Sequence, residues 1–361
     1  MKGIRVKKLI FPAVCAALGL VLRFGSRHVR GFADAYASHM NAFWVNTLGR
    51  LFNLFPFSFA EMAIYAIILA VAVFLIVLLV RLLGRKRGTA RYVGRGALFA
   101  VTLASLIFFL YEAGEDSYFF RTTFAETYGF GNGSYSTDDL EKVCMKLANL
   151  CNEYADQVER DSDGYMVASA DLGRRVSANM TELGETYPML GGWYPEPKPV
   201  FISWFMSKMD FSGMFTAPTM EANYNRDMPD YNKPFTMSHE LAHLKGVLLE
   251  NEANFVAYLA CMQSDDADIR YGGAVSGWIY CGNELYKRDY SRWKAVASTL
   301  APSVDADIDD NTAFWKAYRG KVAKTAQKAN NSYLKQAGVS DGTQSYNRVV
   351  DLIVSYEKEK S

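Results

Sequence analysis

The run 62–80 is nineteen consecutive residues without a charge. That is enough helix to cross ~30 Å of hydrocarbon, and inside hydrocarbon an isolated segment satisfies its backbone only as a helix. The run therefore commits the chain to a membrane before anything else is considered. A basic stretch follows (Arg81, Arg85, Lys86, Arg87, Arg91, Arg95), then a third apolar run, 97–111, closed by Glu112 and Glu115. At the start, Lys2, Arg5, Lys7 and Lys8 precede an apolar run over 9–22. Its fourteen residues also suit a signal peptide. No small-x-small cleavage site follows, so it is read as an uncleaved first helix. The positive-inside rule puts the basic N-terminus and the basic loop 81–96 in the cytoplasm, and everything after Tyr111 beyond the cytoplasmic membrane.

This divides the chain into a membrane anchor, 1–113, and an extracytoplasmic domain, 114–361. The anchor has helices at about 9–22, 62–80 and 97–111 and an outer loop, 23–61. That loop mixes Phe32, Phe43, Trp44, Leu48, Leu51 and Phe52 with few acids, and is expected to lie on the membrane or to pack under the domain. Its two histidines, His28 and His39, read as interfacial polar residues. The net charge is only +1, with no concentration of basic residues suited to nucleic acid, so that partner is excluded. The expected partners are the lipid bilayer and a peptide or protein substrate. Of the five cysteines, Cys144 and Cys151 fall seven apart on one expected helix, roughly 10 Å of rise, too far to bridge. Cys261 and Cys281 are left open between a pair and buried thiols.

The domain reads mainly as helix. Ser136 or Thr137 caps a helix to about Gln157, with Leu140, Val143, Leu147, Leu150 and Tyr154 on one side. A second helix is expected from Ala168 to Gly184. Val200–Phe205 reads as a short buried strand, and Met214–Tyr224 as extended, with Pro218 keeping it at an edge or in a loop. Later helices are expected at about 248–263, 271–288, 289–300, 312–336 and 346–356.

The chemistry concentrates at His239-Glu240-Leu241-Ala242-His243. Two histidines four apart share one helical face, so both imidazoles can reach one ion, and this is the zinc-peptidase pattern H-E-x-x-H. Glu240 is the general base, taking a proton from a zinc-activated water and passing it to the leaving amine. A third ligand is needed. His28 and His39 are remote, none of the four histidines lies downstream of His243, and Leu249 stands where a metzincin has its third histidine. A carboxylate is therefore expected. Glu250-Asn251-Glu252-Ala253-Asn254 resembles the E-x-x-x-D/N element of Glu-type zincins, in which the first acid binds zinc and the residue four later holds a ligating imidazole by its outer nitrogen. On that pattern Glu250 is the ligand and Asn254 the partner of the imidazole. Glu252 is the rival third ligand. Tyr271, Arg270 and Tyr224 are candidate oxyanion stabilisers by proximity in sequence. The stretch 213–225 is either a strand that pairs with substrate or an ordinary loop.

With these residues in view, the chain resembles a bacterial family of membrane-anchored, zincin-like proteins of unknown function. The resemblance runs through Phe55-Pro56-Phe57-Ser58, Phe211-Ser212-Gly213-Met214-Phe215, Glu221-Ala222-Asn223, Pro234-Phe235-Thr236 with the histidine motif, Glu250 to Phe255, and Ser345-Tyr346-Asn347 to Leu352. One departure is Tyr271-Gly272-Gly273, in place of a Tyr-Ser-Gly run. The resemblance implies a gluzincin-like metallopeptidase domain and no particular substrate. The expected fold is mainly α with a small β component: N-terminal transmembrane helices followed by an α+β zincin-like domain. The expected activity is zinc-dependent peptide hydrolysis. Two other readings stand beside it: a zincin-fold sensor or scaffold with little turnover, and a zinc amidohydrolase acting on cell-wall peptides.

Overall fold

The computed structural model describes residues 6–131, 133–339 and 348–360. Lys2, Arg5 and the Ser345-Tyr346-Asn347 element lie outside the described residues. Three helical stretches are long and apolar enough to cross a membrane: Ile10–His28 (α1), Phe59–Leu83 (α4), and Thr89–Phe120, made of Thr89–Gly114 (α5) and a 3-10 turn, Asp116–Phe120. The basic stretch expected as the loop 81–96 is mostly helix. Arg81 closes α4, Arg91 and Arg95 ride on α5, and only 84–88 links the two. Tyr92 stacks on Phe74 at 5.0 Å between ring centres, pairing the helices there.

The segment after α1 is the helix Phe32–Trp44 (α2). It continues through a π-helical turn, Val45–Gly49, into Arg50–Phe52 (α3). It packs under the globular part: Asn41 donates to the carbonyl of Leu244 at 2.9 Å, and Tyr36 to that of Ala113 at 2.9 Å.

Among the described residues, the globular part is mainly helical, with one three-stranded sheet. Phe124–Tyr128 (α6) is followed by Thr137–Ala155 (α7), which starts where Ser136 and Asp139 form a reciprocal capping box, and then by Leu172–Thr186 (α8). The sheet has Lys198–Pro199 (β1) parallel to Glu221–Tyr224 (β3), and β3 antiparallel to Gly213–Thr216 (β2), in the order β1-β3-β2. Pro218 sits in the turn between β2 and β3, where its missing N–H costs nothing. The short strand expected at Val200–Phe205 is not there. The chain leaves β1 and forms the helix Ser203–Met209 (α9), with Phe201 and Ile202 exposed. A run of six mostly apolar residues fits a buried strand or one face of a helix equally well by pattern.

The helices Asn232–Leu244 (α10), Glu250–Gln263 (α11) and Ala267–Arg288 (α12) then pack together. Tyr290–Ala297 (α13), Pro302–Tyr318 (α14), Lys321–Gln336 (α15) and Val349–Glu359 (α16) complete the chain. The single helix expected over 312–336 is two, parted at Gly320. The core joins Leu140 and Leu147 of α7, Met180 of α8, Phe255 and Leu259 of α11, Val275 of α12 and Ile353 of α16. All five cysteines are buried and free, so Cys261 and Cys281 do not bridge.

Carboxylates fasten the sheet to the start of α4. Glu221 of β3 accepts from the N–H groups of Phe59 and Ala60, each at 2.9 Å, and from Lys198 Nζ at 2.7 Å, with Lys198 and Glu221 both buried. The first two donors are helix-start N–H groups with no partner inside their own helix. Removing one member of a buried ion pair strands the other, at about 3–5 kcal/mol. Glu221→Ala should therefore lower the melting temperature of the detergent-solubilised chain sharply. Glu221→Gln, which keeps an acceptor, should lower it less. Equal melting for all three proteins would refute this role for the pair.

Candidate metal centre

The imidazoles of His239 and His243 stack edge-on along α10, with ring centres 4.5 Å apart. The helix ends at Leu244, and Gly246 turns the chain at φ +78°, a conformation with little cost only for glycine. The reversal brings α11 back across α10 with Glu250 at its first position. His239 Nδ1 donates to Asn254 Oδ1 at 2.8 Å, and His243 Nδ1 to the carbonyl of Val247 at 2.8 Å. Each ring's outer nitrogen thus carries its proton, and both Nε2 atoms turn to one point. There they meet one oxygen of Glu250, at 3.2 Å from His239 and 3.8 Å from His243.

Three electron-rich atoms converging this way need a positive charge among them. A metal ion ~2.0–2.1 Å from each of three tetrahedral ligands would space them ~3.3 Å apart, beside the 3.2 and 3.8 Å from Glu250 to the two histidines. The ligand atoms of His239, His243 and Glu250 all lie within 4.8 Å of one another, and these three could hold a metal ion. Protonation is the alternative way to supply charge, and the site divides its protons unevenly. Burial pulls the His239 pKa down, but the hydrogen bond and charge of Glu250, with the charge of Glu240, outweigh it and the net shift is upward. Burial, reinforced by His239, pushes His243 down to about 4. Burial also drives the Glu240 carboxyl up to about 8, with Glu250 adding to the rise and His239 opposing it.

Glu240 lies against the sheet: a methyl group on Gly213 of β2 would lie 2.4 Å from Glu240 Oε1, and the backbone of Phe215 in β2 favours its charged form. Gly213 is therefore needed for close approach. The outermost strand, β2, borders the site, with Gly213, Met214 and Phe215 lining a cavity of about 1070 Å³ that has both histidines, Glu240 and Glu250 in its wall.

The other expected residues go elsewhere. Glu252 points to the start of α6, accepting from Phe124 N–H at 2.8 Å and Ala125 N–H at 3.2 Å. Tyr271 hydrogen-bonds Asp307 and lies under Arg160, Arg270 donates to the hydroxyl of Tyr154 at 2.8 Å, and Tyr224 packs against the core from β3. None of Tyr271, Arg270 and Tyr224 lines the cavity. The phenols that do are Tyr280 of α12 and Tyr333 of α15, and Tyr333 donates to Glu115 at 2.5 Å across a separation of 218 residues. No spacing rule joins such distant residues. The sequence signal at Glu115 is an acid within one helical turn of the end of an apolar run.

The fold and site define a mainly helical protein with helices long and apolar enough to cross a membrane and a histidine–carboxylate cluster in the wall of a cavity. The chain matches the model of the family described as protein of unknown function (DUF3810) over residues 36–354, and it belongs to that family. No curated protein and no solved structure matches it.

A methyl at residue 213 must displace Glu240 or the strand. Gly213→Ala should destabilise the chain by about 1–3 kcal/mol, the usual cost of overpacking. In a Glu240→Ala background the same substitution should cost little, because the two sites touch. Equal costs in both backgrounds, measured by thermal unfolding, would mean that the close approach is not what Gly213 serves.

Proposed function

We propose that this chain is a membrane-anchored zinc metallopeptidase with a gluzincin-like domain, hydrolysing peptide bonds at the outer face of the cytoplasmic membrane. The observation that carries the reading is the convergence of His239 Nε2, His243 Nε2 and a Glu250 oxygen beside the buried carboxyl of Glu240. Two imidazoles and a carboxylate suit zinc, and Asn254 and the Val247 carbonyl fix the rings so that both Nε2 atoms face inward. Zinc held there supplies a positive charge that acidifies water and steadies a polarised carbonyl oxygen. Glu240 takes the proton of the attacking water and delivers it to the leaving nitrogen. The strand β2 offers its backbone to an extended peptide, which would lie along the cavity as an added strand. The basic residues at the link between α4 and α5 support a cytoplasmic link and an outer globular part.

The test uses the full chain in detergent micelles with zinc. Wild type should bind about one zinc per chain. Glu252→Gln should match it, and Glu250→Ala should bind far more weakly. Wild type should cleave members of a mixed peptide library, and Glu240→Gln should lose that cleavage while keeping its zinc. Zinc-loaded wild type that cleaves nothing would overturn the peptidase and favour a sensor. Cleavage confined to muropeptides would favour a cell-wall amidohydrolase.

A further inference from the structure

The helix α9 is built inside out for a surface exposed to water. Ser203 and Ser207 are fully buried, while Trp204 and Phe205 are 55% and 49% exposed. Just before it, Phe201 and Ile202 are 52% and 48% exposed. The buried serines are satisfied within the protein. The Ser203 hydroxyl donates to the carbonyl of Val200 at 2.7 Å and accepts from Arg226 N–H at 2.9 Å. The Ser207 hydroxyl accepts from the Asn225 amide at 2.9 Å. The polar face is thus spent on the sheet side, and four large apolar side chains are left outward together. A contiguous patch of this kind marks a contact surface.

Its position says what it contacts. The N–H groups of Phe201 and Ile202 both donate to the carboxylate of Glu61, at 2.8 and 2.9 Å. Glu61 lies in the first turn of α4, the most apolar of the three candidate spans, whose most apolar window has no buried residue. The patch therefore sits within one side chain's length of the point where that helix enters hydrocarbon. Tryptophan is enriched at that depth, where its amphipathic ring sits at the headgroup level, and Trp204 is the patch's tryptophan. Two cations border the patch: Arg226 lies 5.8 Å over the Phe201 ring and Lys208 5.8 Å over that of Trp204. Long basic side chains on aromatic stems suit the headgroup layer, where the charge reaches water and the stem stays apolar. Besides Glu61, acids nearby include Asp227, 3.7 Å from Arg226, and Asp210, which pairs with Gln327 at the end of α9.

We propose that Phe201, Ile202, Trp204 and Phe205 form an interfacial lipid contact, seated in the leaflet that receives the N-terminal end of α4. It is a second, non-spanning hold on the membrane, and it does not depend on the peptidase reading. It also leads to the cavity. The chain passes directly from α9, whose seven residues rise about 10 Å, into Asp210, Phe211, Ser212 and Gly213 in the cavity wall. The lipid contact is thus joined through α9 to residues of the cavity wall.

The test reads Trp204 fluorescence in the full chain, reconstituted into phosphatidylcholine nanodiscs with ordinary or dibrominated acyl chains. Bromine quenches only tryptophans that reach the lipid. Wild type should lose more emission than Trp204→Phe, by roughly one share among its six tryptophans. Moving the reporter, in a Trp204→Phe, Phe201→Trp double variant, should restore the quenched component and guards against a variant that merely misfolds. Equal lipid quenching in all three proteins would overturn the proposal. If Trp204 were instead quenched by acrylamide in water, the patch would face solvent. If it were shielded from both quenchers, a protein, another copy or a partner, would cover it. Either result would also overturn the proposal.

Discussion

A carboxylate can meet the two imidazoles only because the chain reverses within the few residues after α10. Gly246 makes that possible by taking a left-handed conformation, and the turn is held in place from outside as well as within. A side chain there would press on Tyr118, 3.2 Å away, which belongs to the 3-10 turn at the end of the third apolar stretch. The carbonyl of Val247, immediately after the turn, orients His243, and Asn254, one turn into α11, orients His239. One backbone reversal therefore sets the separation of α10 and α11, the tautomers of both rings and the placement of Glu250. Burial then does the electrostatic work: with the charge of Glu250 close by, His239 shifts up, His243 down and Glu240 up.

Legibility in the sequence followed the range of the interactions. His239, His243, Glu250 and Asn254 were readable because helical periodicity fixes which residues share a face, and because the glycine between the two helices announces a turn. The E-x-x-x-D/N pattern puts Glu250 ahead of Glu252, and it is Glu250 whose oxygen lies beside both rings. Glu252 proved to serve the start of α6, more than a hundred residues earlier in the chain. Tyr271, Arg270 and Tyr224 were chosen for nearness in sequence, which says nothing about direction. Tyr271 turns instead toward Asp307 and Arg160. Tyr333 and Glu115 reach the cavity through packing of α15 near the end of α5, which no local pattern encodes. At Val200–Phe205 the apolar pattern suits an interior strand, but a run of apolar residues does not say which way it faces, and here the apolar side faces out.

The spans and the globular part share their polar chemistry. Arg23 of α1 pairs with Glu112 of α5 at 3.1 Å, and Arg27 with Asp116 at 3.0 Å, both acids being buried. Glu61 of α4 reaches up to Phe201 and Ile202, while Glu221 of β3 reaches down to Phe59 and Ala60. Each carboxylate accepts two backbone N–H groups from the other side, which fixes direction as well as distance. The strand that borders the histidine cluster is thereby referenced, through β3, to the end of a helix suited to crossing a bilayer.

These reciprocal grips leave the chain without a seam. Cutting it after the third apolar stretch, as one would to make a soluble fragment, removes the amides that Glu221 holds and leaves its charge and that of Lys198 facing an opened surface. The same cut removes Glu61, uncovering the backbone of Phe201 and Ile202 next to their apolar side chains. Residues at the start of α4 thus supply hydrogen-bond partners both to the β3 carboxylate and to the backbone just before α9.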